Sequence, residues 1–414
     1  MWRLCQTPSR LLVTSVGAVS GRGDVAGLLA PRARAGAAQY GSAPVGDHVR
    51  FDFDAGLPDP ATFPIDDLVR ISEQVLRSEP AAALHYGRED IMYGFDGLRE
   101  QLAAPAGVAA NQVMVTSGGA QAISLACEAV AETGSCVAVE IPTWGYMLRE
   151  IQLSGMRPIA IPTDDAGMRV DVLTDQVARL KLAGDRLQAV YVVANFSVPT
   201  GVCLSLERRH ALVALAQRER FVIIEDNTYG ALRYDGDELP SLLDIDDAGV
   251  VLKIDSFSKI LAPGLRLGWV TGHADLVAGM AAVRHDLGVS QWIARIVSRF
   301  IDEGLLGPHV ERVRNEYRRK RDTADDALRR HCGGRVKWRR PDGGFFYWLE
   351  FVGDIDAPAV MRTAAEHGVR CRPGEQFFGE PDDGRRHVRL AFSMYPDVEL
   401  AMGIKVFGES LPLG

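Results

Sequence analysis

The feature that most constrains this chain is a series of short, nearly unbroken apolar runs rich in β-branched residues. They lie at Cys136–Ile141, Pro158–Ile161, Ala189–Ala194, Phe221–Glu225, Val250–Ile254 and Leu267–Thr271. A strand with one wet face alternates apolar and polar residues. An unbroken run suits a strand covered on both faces, as in a parallel sheet. Helical patterns sit between the runs, at Ala120–Glu132, Trp144–Ser154, Val170–Lys181 and Leu206–Glu219. This alternation predicts an α/β doubly wound core with a mainly parallel sheet over residues 86–290. Beyond residue 290 the pattern changes. An arginine-rich helix at Pro308–Cys332 precedes strands at Gly344–Phe351 and His387–Phe392. The expectation there is a smaller α+β domain over 291–414, with residues 47–85 as an N-terminal arm that joins it.

Residues 1–46 differ from the rest. They hold five arginines and a single acid, Asp24, and read as a disordered or targeting-like extension. The stretch Gly21–Gly27 is a near miss to a dinucleotide loop, but no strand pattern precedes it. Over the whole chain Lys plus Arg is 46 and Asp plus Glu is 54, a net charge of −8. That balance lacks the basic footprint of a nucleic-acid binder. No apolar run approaches the roughly 20 residues of a membrane span. The six cysteines (Cys5, Cys127, Cys136, Cys203, Cys332, Cys371) are scattered without a CxxC pair. Neither a disulfide framework nor a metal site is indicated, and a reducing, cytoplasmic setting is expected.

Four segments carry candidate chemistry. Ser256-Phe-Ser-Lys259 follows an apolar strand, with Arg266 seven residues after the lysine. Open α/β sheets bind ligands at the carboxyl ends of their strands. Two hydroxyls and a guanidinium make an anion cradle there. A lysine beside such a cradle can form a Schiff base with an aldehyde cofactor that carries a phosphate; the plain alternative is a solvated loop lysine. Ile223-Ile-Glu-Asp-Asn-Thr-Tyr229 ends a second strand in acids. Asp226 can pair with a protonated ring nitrogen and Tyr229 can reach a phenolate oxygen, or the two can cap a helix and fill space. Val115-Thr-Ser-Gly-Gly-Ala-Gln121 opens a helix with small residues, which exposes N–H groups to an anion or simply makes a turn. Trp144 follows the strand ending near Glu140 and can stack on a planar ring or pack in the core.

Taken in order, these segments resemble the class I/II aminotransferases of the pyridoxal-5′-phosphate enzymes of fold type I. The likeness runs from about residue 50 to 405. It includes Phe53-Asp-Ala-Gly-Leu-Pro-Asp-Pro-Ala-Thr-Phe-Pro64, Leu84-His-Tyr86, Gly97-Leu-Arg99 and His387-Val-Arg-Leu-Ala-Phe-Ser393. The resemblance implies a pyridoxal 5′-phosphate cofactor and a homodimer acting on a small-molecule amino acid. It implies that Lys259 is the Schiff-base lysine and proton carrier. Asp226 matches the partner of the ring nitrogen, Tyr229 the donor to ring O3′, and Trp144 the stacking aromatic. Gly119, Ala120, Ser256, Ser258 and Arg266 match the phosphate cradle. Tyr86 matches a tyrosine reaching the neighbouring subunit's phosphate. Arg389 resembles the arginine that grips the substrate α-carboxylate, assisted by the Gly56 backbone; its plain alternative is a surface strand arginine.

Two departures stand out. In Asn195-Phe-Ser-Val-Pro-Thr-Gly201, Val198 occupies the place where the family usually has an asparagine that donates to O3′. Tyr229 is then the main donor, with Asn195 as a distant substitute. The polar stretch Gly87-Arg-Glu-Asp-Ile-Met-Tyr93 is longer than the family pattern, so Arg88, Glu89 or Asp90 borders the substrate or is a solvated loop. Transamination is the leading activity. The alternatives are elimination, replacement, cyclisation or oxidation on an amino acid such as S-adenosylmethionine, and a non-catalytic effector-sensing module. Valine cannot donate a hydrogen bond. The lysine–cofactor imine therefore holds its proton more tightly, and Val198→Asn is expected to lower the pH midpoint of the imine absorbance. An unchanged midpoint refutes this.

Overall fold

The structure is a computed structural model that describes residues 28–30, 33, 49–87, 91–353, 355–379 and 381–412. The chain divides into two units, Met1–Gly46 and Asp47–Gly414, and the second holds both main sheets and the candidate site. Most of the extension, with the Gly21–Gly27 stretch and Cys5, lies outside the described residues, as do Arg88, Glu89 and Asp90.

Eight strands form the central sheet: Val113–Thr116 (β1), Cys136–Ile141 (β2), Arg157–Asp164 (β3), Gly167–Met168 (β4), Leu187–Val192 (β5), Val222–Asp226 (β6), Val251–Ser256 (β7) and Gly268–Gly272 (β8). Their order across the sheet is β1-β8-β7-β6-β5-β2-β3-β4. The five strands from β7 to β3 are mutually parallel. Antiparallel pairs close both ends, β1 and β7 each against β8, and β3 against β4. The sheet is thus mainly parallel with antiparallel edges.

The unbroken apolar runs have the expected cause. In and just beyond β5, Ala189, Tyr191 and Val193 pack on one face with Ala122, Ile123 and Leu125 of helix Gly119–Val130 (α1). Val190, Val192 and Ala194 pack on the other face with Leu212, Val213 and Leu215 of helix Leu206–Glu219 (α2). Each valine, leucine or isoleucine among them contributes about 1.5–3 kcal/mol through burial. The helix expected at Trp144–Ser154 begins at Gly145, and Trp144 is its extended N-cap residue. The strand expected from Gly344 begins at Phe346, because Gly344 has φ +72° and turns the chain first.

A four-stranded antiparallel sheet follows, from Val336–Lys337 (β9), Phe346–Phe351 (β10), Arg372–Pro373 (β11) and His387–Ala391 (β12), in the order β9-β10-β12-β11. The N-terminal arm joins this region, since Phe51–Asp52 pairs in parallel with Val369–Arg370. Helix Leu306–Cys332 (α3) buries Val313, Tyr317, Ala324 and Leu328 along one stripe at helical spacing.

Helix α3 also fixes the arm that reaches the site. Lys320 is fully buried and pairs with the Asp59 carboxylate, and it donates to Ser393 O at 3.1 Å. Asp59 N donates to the Tyr317 hydroxyl at 3.1 Å. Removing one member of a buried pair strands the other charge. Lys320→Ala is therefore expected to lower stability by about 3–5 kcal/mol, read as a lower urea midpoint. A change below about 1 kcal/mol would show that water reaches Asp59.

Candidate active site

The strand directions bring the sequence candidates to one edge. β2, β5, β6 and β7 run parallel, so their carboxyl ends deliver Trp144, Val193, Asp226 and Ser256 to the same side. β1 runs the same way and delivers the Ser117–Gly119 turn. β8 runs oppositely, so its amino end, preceded by Arg266, lies at this edge too. A cavity of about 330 Å³ opens there. Gly56, Gly119, Ala120, Trp144, Asp226, Tyr229, Ser256, Ser258, Lys259, Arg266 and Arg389 all line it.

One end is built for an anion. Helix α1 begins at Gly119, whose preceding Gly118 has φ +85°. A Cβ at Gly118 would lie 2.7 Å from Arg266 Nη2, so glycine leaves the turn open to the guanidinium. Arg266 donates to Ser117 O at 2.9 Å. Ser256 Oγ lies 3.0 Å from Ser258 Oγ and accepts from Ser258 N at 3.1 Å. Hydroxyls, a guanidinium and a helix N-terminus together favour a phosphate.

At the centre, Lys259 Nζ donates to Gly56 O at 2.8 Å. Burial, and then the Arg389 charge, lower the Lys259 pKa to about 8. Asp226 accepts from the Tyr191 hydroxyl at 2.8 Å and from Thr228 N at 3.0 Å. Burial raises the Tyr191 phenol far above its ordinary value and raises Tyr229 as well. Tyr229 packs edge-on against Phe345 and Phe346. Trp144 stacks on Tyr146 with centroids 4.8 Å apart.

The other end is cationic. Arg389 is only 6% exposed. It donates from Nη2 to Asp54 O at 2.5 Å and lies over the rings of Phe346 and Phe377. Its Nε has no hydrogen-bond partner among the described residues, and burial lowers its pKa to about 10. A desolvated guanidinium with a carbonyl and two rings for company is suited to receive a carboxylate.

Two residues singled out from the sequence do not line this cavity. Tyr86 is outside this cavity, 69% exposed beside His85 and Gln291. Asn195 is not part of the cavity lining: its Nδ2 donates to Asn227 Oδ1 and its Oδ1 accepts from Arg209 and Arg233. Val198 does line the cavity, as an apolar wall. Sequence reasoning missed Tyr191, Thr228, Phe346 and Arg372, which also line it. Thr228 lies between two named candidates and was open to discovery; Tyr191 sits inside an apolar run and reads as core.

A protein-family model for aminotransferase class I and II matches residues 88–405. The chain belongs to the aminotransferase class I and II family. It is 33% identical to an aromatic-amino-acid aminotransferase of Thermococcus litoralis, over 86% of each chain. It is similar to the multiple substrate aminotransferase of Thermococcus profundus, with 31% identity and a TM-score of 0.86, covering 94% of this chain and 98% of that one. The kynurenine aminotransferase of Pyrococcus horikoshii, in complex with PMP, matches with the same identity, coverage and TM-score. Aminotransferases of this family depend on pyridoxal phosphate, and the fold type I architecture agrees. The cavity fits that group: an open anion turn facing Arg266, a desolvated amine and a hydrogen-bonded carboxylate line one space.

In this aminotransferase the Tyr191–Asp226 bond is the most exposed to a conservative test. Tyr191→Phe keeps the ring and removes one donor from a buried carboxylate. The expected cost is about 1–3 kcal/mol of stability, together with weaker cofactor retention, both readable by thermal melts with and without pyridoxal phosphate.

Proposed function

We propose that this aminotransferase acts on amino acids through Lys259, with Asp226, Tyr229 and Arg389 arranged around it. When bound, pyridoxal phosphate supplies an aldehyde that condenses with amines and a ring that withdraws electrons. Everything else is work for the chain's own residues. Gly119, Ala120, Ser256, Ser258 and Arg266 would hold the phosphate. The Asp226 carboxylate, oriented by Tyr191 and Thr228, would keep a proton on the ring nitrogen. Trp144 would cover one ring face, and the Tyr229 hydroxyl would donate to O3′. Arg389 would orient the substrate by its α-carboxylate. Lys259 would take a proton from substrate Cα and return it elsewhere, a task that suits an amine with a pKa near operating pH.

The observation that carries this reading is a desolvated lysine sharing one cavity with a buried guanidinium that has no paired carboxylate among the described residues. On the same reading, residues 86–290 are the cofactor-binding domain, and 47–85 with 291–414 the smaller one. A homodimer is the proposed assembly. Its support is the exposed apolar face of Leu84, Tyr86 and Leu287, with Tyr86 reaching the partner's cavity; a dimeric mass by light scattering checks it. Free thiols at Cys127, Cys136, Cys203, Cys332 and Cys371 suit a reducing, cytoplasmic setting.

The test pairs a variant with a pH profile. Lys259→Ala is expected to cut transamination by about 10²–10⁴-fold or more and to abolish the borohydride-fixed adduct at position 259. Only the neutral amine accepts a proton or attacks an aldehyde. Capture of added pyridoxal phosphate by cofactor-free protein should therefore rise with pH through a midpoint of about 8. An adduct that persists at another lysine overturns the assignment.

A further inference from the structure

We propose that Arg372 is a second anion reader in this cavity, one that favours amino acids with an acidic side chain while still admitting uncharged ones. The proposal rests on the transamination reading above and names the substrate class for that same site.

The cavity has an excess of positive groups. Its lining residues that carry a charge at neutral pH are Asp226, Lys259, Arg266, Arg372 and Arg389. Under the functional reading Arg266 answers to the phosphate and Arg389 to the α-carboxylate, while Asp226 answers to the ring. Arg372 has no ligand anion assigned to it, yet it lines the same space. It stands on β11 directly across from Arg389 on β12, and paired residues on antiparallel strands point to the same face. The two guanidiniums therefore lie side by side at the substrate end.

What separates them is the company each keeps. Arg389 has a backbone carbonyl and two aromatic rings. Arg372 has a counter-ion: its Nε pairs with the Asp54 carboxylate. Asp54 is itself buried, at 6% exposure. The neighbouring Arg370 is held chiefly by Asp52, through bonds of 3.0 and 2.5 Å, with its Nε 3.7 Å from Asp54; Arg372 is the nearer cation to Asp54. Arg372 Nη1 donates to Gln376 Oε1 at 2.6 Å. Nε is thus ion-paired with Asp54 without a hydrogen bond and Nη1 is hydrogen-bonded, while Nη2 has no partner among the described residues.

The segment that carries these groups is fixed. Thr143 N donates to Phe377 O at 2.9 Å, and a Cβ at Gly145 would come within 3.0 Å of Gln376 O. Arg372 is thereby tied to the loop that presents Trp144. A held guanidinium discriminates better than a mobile one, because less freedom is lost per hydrogen bond.

This arrangement gives asymmetric demands. Arg389 needs the ligand's carboxylate. Arg372 tolerates its absence, because Asp54 already balances its charge, so an uncharged side chain strands nothing. An acidic side chain gains a charge-assisted bond at Nη2. A cationic side chain meets two arginines and is disfavoured.

The holoenzyme is assayed with L-glutamate, L-2-aminoadipate and L-leucine, with a 2-oxo acid in excess, and the readout is the acidic-to-leucine ratio of kcat/KM. Arg372→Gln is expected to lower that ratio by about 10–100-fold, chiefly through KM for the acidic substrates, and Arg372→Lys to recover part of it. Asp54→Asn removes the built-in counter-ion and should raise KM for leucine more than for glutamate. An unchanged ratio in Arg372→Gln, or an equal rise of both KM values in Asp54→Asn, overturns the proposal. A wild-type protein that turns over leucine but neither acid overturns this proposal alone. A wild-type protein that transaminates no amino acid overturns the functional reading beneath it. Retained cofactor absorbance in each variant shows that the fold is intact.

Discussion

The hydrogen bond from Lys259 Nζ to Gly56 O holds the architecture of the site together. It joins positions 203 residues apart, one following a strand of the large sheet and the other on the N-terminal arm. The contact needs close quarters: a Cβ at residue 56 would come 2.4 Å from the Phe346 ring. Phe346 in turn lies under Arg389 and against Tyr229. The buried Lys320–Asp59 pair keeps the arm on helix α3 so that Gly56 can face the lysine. A charge deep in one part of the fold thus sets the position of an amine in another. The cost of burying that first charge is offset only while both partners remain.

Much of this was legible in the sequence, and the reasons are physical. Strands covered on both faces leave unbroken apolar runs, so the parallel centre of the sheet could be read directly. Helix Leu206–Glu219 is bounded by Ser205, which caps it, and by Arg220, in a left-handed conformation at φ +59°. The edges were harder. β1 has four residues and β8 begins and ends in glycine, too little pattern to show that they run antiparallel. The pairing of Phe51–Asp52 with Val369–Arg370 is two residues long and leaves no periodicity at all.

The site divides along the same line. Lys259, Asp226, Trp144 and the turn before Gly119 lie at or just past strand ends, where a sequence marks function by breaking an apolar run with a polar or small group. Tyr191 breaks no run. It is a fully buried residue within β5, and only the in-register pairing of β5 with β6 brings its hydroxyl to Asp226. Arg372 was invisible for a related reason. Its meaning comes from facing Arg389 across a strand pair, and register is a property of the fold that no local spacing encodes. Asn195 is the reverse case. It lies near the right place in sequence, but Arg209 and Asn227 take up its amide.

The walls of the cavity come from segments scattered between residues 55 and 389, and no single segment could hold a small molecule alone. A ligand seated there touches the arm, both main sheets and the loops between them at once. It binds the folded chain and has nothing comparable to bind in the unfolded one. Its presence at a thousand times its dissociation constant adds about 4 kcal/mol to the folded state. Bound cofactor therefore supports the folded state as well as the chemistry.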